Sequence, residues 1–343
     1  MYKEYDYSVS QSASQSQSQS EEDYSSNEYQ MEPKKVTRDG VTYLLSEYDY
    51  TAVIIDCDVK EDIFEVPSNL EDGEDLYTII SIGPRAFKNT NIKEITFKGD
   101  SSICSFGKDS LFCHTLQAVS FPYQLMKLEP GWCYFTLNLS KIKIIEGNRF
   151  FIFDDGVLYN KKKTVLHFCS RKKKAITIPS SVKKIASYAF EQCRKLESVQ
   201  FEDQSSLEEI QSWAFSRSHI RSITVPKNVT NIHSNAFFWC KRLRELKFEE
   251  GSQLLNIHHA AFKDTLLSNV TLPETTSTIS KNAFQNCNNL SSLKVFHHGD
   301  LFIDKGAFKG VNENFVLEIH TKTVLKGNGY QTFLEKIHQY NDS

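Results

Sequence analysis

The sequence predicts a solenoid of short repeats stacked on a parallel β-sheet, and three observations indicate it. A motif I-x-x-x-A-F recurs through most of the 343 residues. An apolar triplet follows each copy, and its last two members alternate with the period of two that a strand requires. No single copy can bury its own apolar face, so the copies must stack to form a core.

The motif phenylalanines set the length of each repeat. Between Phe190 and Phe284 the successive steps are 25, 22, 25 and 22 residues, so long and short rungs alternate. Two less regular copies place Phe112 and Cys133 at the same motif position. The regular copies end at Phe87, Phe190, Phe215, Phe237, Phe262, Phe284 and Phe308.

The apolar triplets have the L-x-x-L-x-L spacing of a leucine-rich repeat. In Leu196, Val199 and Phe201, for example, the first residue lies in the turn before the strand and the other two lie on the strand. Such triplets at intervals of roughly 20 to 29 residues are the signature of this repeat class. The sequence therefore predicts leucine-rich repeats over residues 81–149 and 176–325.

The segments around these repeats predict caps, a hairpin and a tail. "DGVTYLL" and "TAVIID" indicate a hairpin within an N-terminal β cap over residues 36–80, and "DGVLY" and "TVLHF" indicate a β-hairpin insertion over 150–175. Apolar residues at helical spacing predict a capping helix over 326–343, with Tyr330, Phe333, Leu334 and Ile337 on one face. Serine and glutamine dominate residues 1–35, which we expect to form a disordered tail.

The composition excludes several classes of partner. A net charge of -3 and a pI near 6.4 provide no basic field, so nucleic acid is not an expected partner. No apolar run reaches the roughly 18 to 20 residues of a membrane helix, and the acidic N-terminus does not resemble a signal peptide. We therefore expect a cytoplasmic protein without membrane insertion, in which the eight cysteines stay reduced.

The repeat run "IPSSVKKIASYAFEQCRKLESVQF" resembles the BspA-like, or type 5, leucine-rich repeats. The segment "FFIFDDGVLYNKKKTVLHFCSRKKKAITIP" is similar to the hairpin insertions of protist members, notably those of trichomonad surface antigens. The resemblance covers about residues 38–325. It implies a leucine-rich repeat fold, and it makes a cell-surface location an alternative to the cytoplasm.

The cysteines at Cys193, Cys240 and Cys287 recur every 47 residues, which is one long plus one short rung. Two rungs at about 4.8 Å each separate them too widely for a disulfide or a shared zinc ion. Ser218 and Thr265 hold the same position on the rungs between them, and Thr90, Thr115 and Thr136 hold it on earlier rungs. A position that accepts these small side chains with weak donors favours a buried turn.

Other polar clusters are also interpreted as structural. His233 and His258 lack an evident third ligand, and the acidic segment 56–62 lacks the glycine that a calcium loop requires. The basic runs Lys161–Lys163 and Arg171–Lys174 are interpreted as a solvated hairpin face. No nucleotide-binding, nucleophile-elbow or zinc-protease motif occurs, so we expect no catalytic, cofactor or metal site and no enzyme activity.

The remaining candidate site is the outward face of the strands, which solenoids use for protein binding. Its side chains are small, polar and mixed in charge, and they lack aromatic anchors. The leading hypothesis is a non-enzymatic protein-binding scaffold, and the alternative is a surface-associated adhesin exported by a nonclassical route. The predicted face consists of Glu94, Thr96, Lys141, Lys143, Ser198, Gln200, Ser222, Thr224, Glu245, Lys247, Asn269, Thr271, Ser292 and Lys294.

Overall fold

The computed structural model describes residues 34–340, and the predicted tail of residues 1–35 lies outside the described residues except for its last two positions. The described chain is a parallel β-solenoid of about 13 turns with almost no helix. The predicted leucine-rich repeat solenoid with a parallel β-sheet face is therefore confirmed.

The first half of the solenoid contains short strands that alternate between two sides of the coil. The strands are β1 Lys34–Arg38, β2 Val41–Ser46, β3 Thr51–Cys57, β4 Ile63–Val66, β5 Asn69–Asp72, β6 Asp75–Ile82, β7 Glu94–Phe97, β8 Ser105–Phe106, β9 Ala118–Phe121, β10 Lys127–Leu128, β11 Lys141–Ile144, β12 Phe151–Asp154, β13 Val157–Asn160 and β14 Val165–Cys169.

The second half is more regular, because four-residue and two-residue strands alternate along most of it. The strands are β15 Ala175–Ile178, β16 Lys184–Ile185, β17 Ser198–Phe201, β18 Glu209–Ile210, β19 Ser222–Val225, β20 Asn231–Ile232, β21 Glu245–Phe248, β22 Asn256–Ile257, β23 Asn269–Leu272, β24 Thr278–Ile279, β25 Ser292–Val295, β26 Gly299–Ile303, β27 Val316–His320, β28 Thr323–Lys326 and β29 Ile337–Tyr340.

Each coil contributes one strand to each of two sheet surfaces. The four-residue strands form the predicted face, which divides into the sheets β11-β9-β7-β4, β15-β17, β19-β21 and β23-β25-β27-β29. The other surface is less interrupted and contains a seven-stranded sheet, β1-β2-β3-β6-β8-β10 with β5 beside β6, and a ten-stranded sheet from β12 to β28. Sequence periodicity did not predict this second surface, because a two-residue strand is too short to show an alternation.

A stack of phenylalanine rings fills the centre of the regular coils. Six motif phenylalanines, from Phe190 to Phe308, lie with ring centroids 4.6 to 5.7 Å apart and ring planes within 11° of parallel. A backbone ladder accompanies the stack, since the N–H of Phe190 donates to the carbonyl of Ala214 at 2.7 Å and the N–H of Phe237 donates to that of Ala261 at 2.7 Å. Ring packing and hydrogen bonds therefore fix the same register between coils.

The turn around each motif phenylalanine has a repeated backbone conformation. The residues two before and two after the phenylalanine have positive φ in the coils from Phe190 to Phe308, as at Asn282 (φ 60°) and Asn286 (φ 59°) around Phe284. This left-handed region favours glycine and asparagine. The last of these coils accordingly has Gly306 and Gly310 at the two positions.

One irregular repeat lies one residue from its predicted register. Leu111, rather than Phe112, occupies the motif phenylalanine position, because the N–H of Leu111 donates to Trp132 across the coil boundary and its side chain is fully buried. A one-residue deletion in the same turn puts Cys113, rather than Thr115, at the cysteine position, where the Thr90 hydroxyl donates to its sulfur at 3.6 Å. The predicted placements of Phe112 and Thr115 are therefore wrong.

The predicted hairpin is built into the solenoid wall. Strands β12, β13 and β14 pair antiparallel in that order, and β14 then pairs parallel with β16. Adjacent side chains of β13 belong to different hydrophobic clusters, since Val157 and Tyr159 pack with the C-terminal core and Leu158 packs with the N-terminal core. The hairpin is thus the layer that joins the two cores.

The C-terminal end differs from the predicted α-helical cap. Residues Tyr330–Lys336 form a short 3-10 helix, and Ile337–Tyr340 form strand β29, which pairs parallel with β27. The Tyr340 hydroxyl donates to the carbonyl of Val295 at 3.0 Å. Backbone pairing favours a strand over a helix at this end, because β27 would otherwise leave a row of backbone donors and acceptors without partners at the sheet edge.

Replacing a ring within the stack should destabilise the fold strongly. Phe237 is fully buried between Phe215 and Phe262. We expect Phe237→Ala to lower the free energy of unfolding by about 3 to 5 kcal/mol, because it removes a buried ring and leaves a cavity. Urea unfolding followed by circular dichroism measures the change. The control is Phe302→Ala, since Phe302 is 47% exposed, and equal losses in the two variants would contradict the account.

Candidate functional site

The structure places the predicted face residues along the outside of the four-residue strands. Ten of the fourteen side chains are exposed, and the remaining four, Glu94, Thr96, Ser292 and Lys294, are partly buried. Strand register aligns several of them across neighbouring coils, as Ser222 pairs with Glu245 and Thr224 with Lys247. Their role in binding stays a prediction.

Charged groups on this face form one ion pair and otherwise lie apart. Lys247 Nζ lies 2.7 Å from the Glu245 carboxylate. Lys294 Nζ lies 4.2 Å from the ring centroid of Tyr340 and 4.9 Å from that of Phe296. The face therefore carries charges of both signs without a large single-sign field, so hydrogen bonding and shape have more weight than long-range attraction.

A cleft forms where the hairpin meets the predicted face. Its volume is about 410 Å³, and two predicted face residues, Ser198 and Gln200, contribute to its wall. Tyr159, Ile176 and Pro179 provide apolar surface. The remaining lining residues are Asp154, Asp155, Val157, Lys163, Lys173, Ala175 and Thr177.

Ion pairs neutralise the hairpin side of the cleft. Lys163 Nζ lies 2.7 Å from Asp154 Oδ2, and this hydrogen bond lowers the pKa of the Asp154 carboxyl. Lys173 pairs with the Asp155 carboxylate and also donates to the Asp155 carbonyl at 2.7 Å. Two of the seven residues of the sequence-predicted basic cluster are thus paired locally, and the cleft combines paired charges with neutral hydrogen-bonding groups.

Arg171 departs from the predicted solvated hairpin face. It is only 6% exposed, its Nη1 donates to Cys193 Sγ at 3.3 Å, and its guanidinium carbon lies 5.0 Å from the ring centroid of Phe168. The interpretation of Arg171 as a surface charge is therefore wrong. The sequence does not indicate this burial, because Arg171 begins a basic run in which Lys172 and Lys174 are exposed.

Glu191 and Cys193 share this buried region. Burial raises the pKa of the Glu191 carboxyl to about 7, although Arg171 and Arg217 act in the opposite direction. Glu191 lies 3.8 Å from Arg217 Nη1 and is 1% exposed. Burial also opposes ionisation of Cys193, but the Cys169 thiol and the Arg171 guanidinium outweigh it and lower the pKa of the Cys193 thiol.

The other two repeat cysteines, Cys240 and Cys287, are buried, as predicted. Cys240 Sγ donates to the Phe215 carbonyl at 3.0 Å and lies 3.4 Å from Ser218 Oγ, and Cys287 Sγ lies 3.2 Å from Thr265 Oγ1. Burial raises the pKa of Cys240 to about 12 and that of Cys287 to about 11. These thiols are poor nucleophiles and serve as small buried donors.

The histidine pair is a stack rather than a chelate. The rings of His233 and His258 lie 5.1 Å apart and nearly parallel, and His258 Nε2 contacts Asn231 Oδ1 at 3.3 Å. Burial and the neighbouring His233 lower the pKa of His258. Within residues 34–340, no group of three or more histidine, cysteine or acidic side chains is arranged to hold a metal ion.

The repeats identify the family to which this chain belongs. Six copies of the BspA type leucine-rich repeat region match residues 57–164 and 166–291. This chain belongs to the BspA-type leucine-rich repeat family. No curated protein matches the sequence.

Several solved structures are similar in fold. A leucine-rich repeat protein from Eubacterium ventriosum is 18% identical, with a TM-score of 0.54, and the match covers 83% of this chain and 93% of that one. The pneumococcal vaccine antigen PcpA is 15% identical, with 90% and 98% coverage and a TM-score of 0.46. A leucine-rich cell surface protein from Faecalibacterium prausnitzii is 16% identical, with 89% and 97% coverage and a TM-score of 0.42. The assignment rests on the repeat match and extends to BspA-type leucine-rich repeats, and the predicted protist subgroup has no support from it.

Among the described residues, no helix is long and apolar enough to cross a membrane.

The sequence analysis did not predict one group of surface residues. It searched the strands for aromatic anchors, whereas the structure places tyrosine, tryptophan and phenylalanine side chains on the turns, where Trp213 stacks on Tyr188. The available signal was the residue before the motif alanine, which is aromatic in "IASYAF" and "IQSWAF".

The raised pKa of Glu191 predicts a pH-dependent stability difference. A carboxyl whose pKa rises from 4.5 to about 7 on folding lowers the free energy of unfolding as the pH increases through that interval. We expect the stability gain of Glu191→Gln over the wild type to grow by up to about 3 kcal/mol between pH 4.5 and 7.5. Urea midpoints at several pH values measure it.

The control for this prediction is Glu208→Gln, because Glu208 is exposed and pairs with Lys183 at 3.3 Å. Its difference from the wild type should stay within a few tenths of a kcal/mol at every pH. A Glu191→Gln difference that is flat with pH would show that Glu191 is ionised in the folded protein as readily as in the unfolded chain.

Proposed function

We propose that this chain is a non-enzymatic protein-binding scaffold that uses the four-residue strand face, with the cleft beside the hairpin as its centre. One observation carries the proposal: the hairpin turns part of an otherwise open face into a concave site that contains Ser198 and Gln200. Concave sites with apolar walls and a few polar groups are the usual places for recognition. The BspA-type family supports a binding role, since leucine-rich repeat proteins usually bind proteins.

The chemistry of the cleft favours a short polar loop of a partner protein. Ser198, Gln200 and Thr177 offer neutral donors and acceptors that can pair with a backbone, and Tyr159 and Pro179 offer apolar contact. The two lysines that line the cleft, Lys163 and Lys173, already pair with Asp154 and Asp155. A highly charged ligand such as nucleic acid would have to break these pairs, so a protein partner fits better than a polyanion.

The second candidate function is a surface-associated adhesin that reaches the cell surface by a nonclassical route. The family resemblance motivates it. Protease treatment of intact cells separates this candidate from a cytoplasmic scaffold. A surface protein is digested while a cytoplasmic marker survives, and a chain that survives together with the marker would eliminate the adhesin.

Substitutions on the face should abolish partner binding without unfolding the protein. Gln200 and Thr224 are exposed on neighbouring four-residue strands. We expect Gln200→Arg and Thr224→Arg to reduce recovery of a bound partner by about tenfold or more, because a large charge on the contact surface blocks close approach. Quantitative pull-down from extracts of the native cells measures recovery, and circular dichroism verifies folding.

The matched control is Gln253→Arg, which adds the same charge at an exposed loop position. Unchanged recovery with both face variants would remove the face and the cleft as the binding site. Equal losses in the control and the face variants would show that added charge, rather than the face, disrupts binding.

A further inference from the structure

Aromatic side chains form a continuous stripe along the turns that follow the two-residue strands. The ring centroids of Tyr134 and Tyr188 lie 5.6 Å apart, those of Tyr188 and Trp213 lie 6.0 Å apart, and those of Trp213 and Phe238 lie 5.5 Å apart. The Tyr188–Trp213 and Trp213–Phe238 contacts join successive coils, whereas Tyr134 and Tyr188 come from coils on either side of the hairpin strands. We define the aromatic stripe as Tyr134, Phe135, Tyr188, Trp213, Phe238 and Trp239.

The stripe is accessible and separate from the sheet face. Trp239 is 48% exposed, and the other five side chains are partly buried. All six lie in turn segments, whereas the proposed face lies on the four-residue strands and the cleft lies beside the hairpin. A binding role for the stripe is therefore independent of the proposed function of that face.

The backbone conformation of four stripe residues is the one that these turns repeat from coil to coil. Phe135, Tyr188, Trp213 and Trp239 have φ between 61° and 64°, at the positions two before or two after the motif residue. Other coils have Gln192, Arg217, Ala260, asparagine or glycine at these positions, so the conformation belongs to the repeat while the side chain differs. The repeated turn therefore fixes the backbone from which these aromatic side chains extend.

The surroundings of the stripe are positively charged. The turns of residues 185–196, 210–220 and 232–243 contain five basic residues and one acidic residue, Glu191, which is buried. Cations also lie over the rings, with Arg217 at 5.8 Å from the Phe238 centroid and Lys241 at 5.2 Å from the Trp239 centroid. Nearby Asp264 and Glu197 pair with Lys241 and Arg242 and reduce this excess only in part.

We propose that the aromatic stripe is a second binding surface, which takes an acidic protein segment that carries aromatic or aliphatic side chains. The apolar side chains of the segment pack between the rings, and its carboxylates pair with the surrounding lysines and arginines. Tryptophan, tyrosine and arginine together are the residues that dominate binding energy at protein interfaces.

Ring orientation favours acidic protein over nucleic acid. Tyr188 and Trp213 are parallel within 2° with ring centroids 6.0 Å apart, so each ring partly restricts access to one face of the other. A nucleic-acid base needs a free ring face on which to stack. The exposed ring edges carry partial positive charge and suit carboxylates and edge-to-face aromatic contacts.

The experiment uses a random copolymer of glutamate and tyrosine as the probe, with polyglutamate as the comparison. We expect the full chain to bind the copolymer more tightly than polyglutamate at physiological salt, in fluorescence anisotropy. Trp213→Asn and Trp239→Asn should each weaken copolymer binding by about tenfold or more, as expected for an aromatic anchor. Asparagine is accommodated at this backbone conformation at Asn235 and Asn282, so both variants should fold.

Two controls make the result specific. Tyr48→Asn removes a tyrosine that is 97% exposed and lies outside the stripe, so it should leave copolymer binding unchanged. Gln200→Arg changes the sheet face and should also leave it unchanged. Urea midpoints of all variants verify folding, and Trp239→Asn remains informative if Trp213→Asn unfolds, because Trp239 is the more exposed residue.

Three outcomes would overturn the proposal. Folded Trp239→Asn protein that binds the copolymer as tightly as the wild type would show that the stripe is not an anchor. Equal affinity for polyglutamate and the copolymer would show that charge alone governs binding. Tighter, Trp239-dependent binding of an oligothymidylate or of phosphatidylserine vesicles would assign the surface to nucleic acid or membrane instead.

Discussion

Each coil of this solenoid has two apolar surfaces that only its neighbours can cover, and the motif phenylalanine is where both are covered at once. Its ring stacks on the rings of the adjacent coils, at 5.0 and 5.1 Å on either side of Phe237. Its backbone N–H donates to the alanine carbonyl of the next coil. Hydrophobic burial and backbone pairing thus have the same register, so a shift between coils would break both.

This division between a fixed interior and a variable exterior explains where function can reside. Most buried positions repeat apolar residues and small thiol or hydroxyl groups, and the buried Arg171 and Glu191 are exceptions. The outward positions of strands and turns are free to differ from coil to coil. The polar face beside Gln200 and the aromatic stripe around Trp213 are therefore two different surfaces on one scaffold.

The sequence predicts the periodic part of the structure well, because burial on a strand has a regular signature. It predicts poorly where a single backbone interaction decides the outcome. Strand β29 takes the place of part of a helix because its pairing completes the edge of β27. Arg171 is buried although Lys172 and Lys174 after it are exposed, because tertiary packing brings it against Cys193.

Local sequence patterns also predict the candidate sites only in part. The alternation of apolar and polar residues locates the polar face, but the cleft depends on where the hairpin folds, and no local pattern encodes that contact. The aromatic stripe escaped prediction because its members come from different positions of successive turns. Only the stacking of coils brings Tyr134, Tyr188, Trp213 and Phe238 into one line.

Native-state hydrogen exchange tests the central role of the motif phenylalanine most directly. The backbone N–H groups of Phe190, Phe215, Phe237, Phe262 and Phe284 join successive coils beside the ring stack. The account predicts that these amides exchange more slowly than the amides of the four-residue strands in the same coils, because they lie beside fully buried rings, whereas the strand ladders are interrupted between β17 and β19 and between β21 and β23. Faster exchange at the phenylalanines than on the strands would show that the strand ladders hold the solenoid together, and would contradict the account.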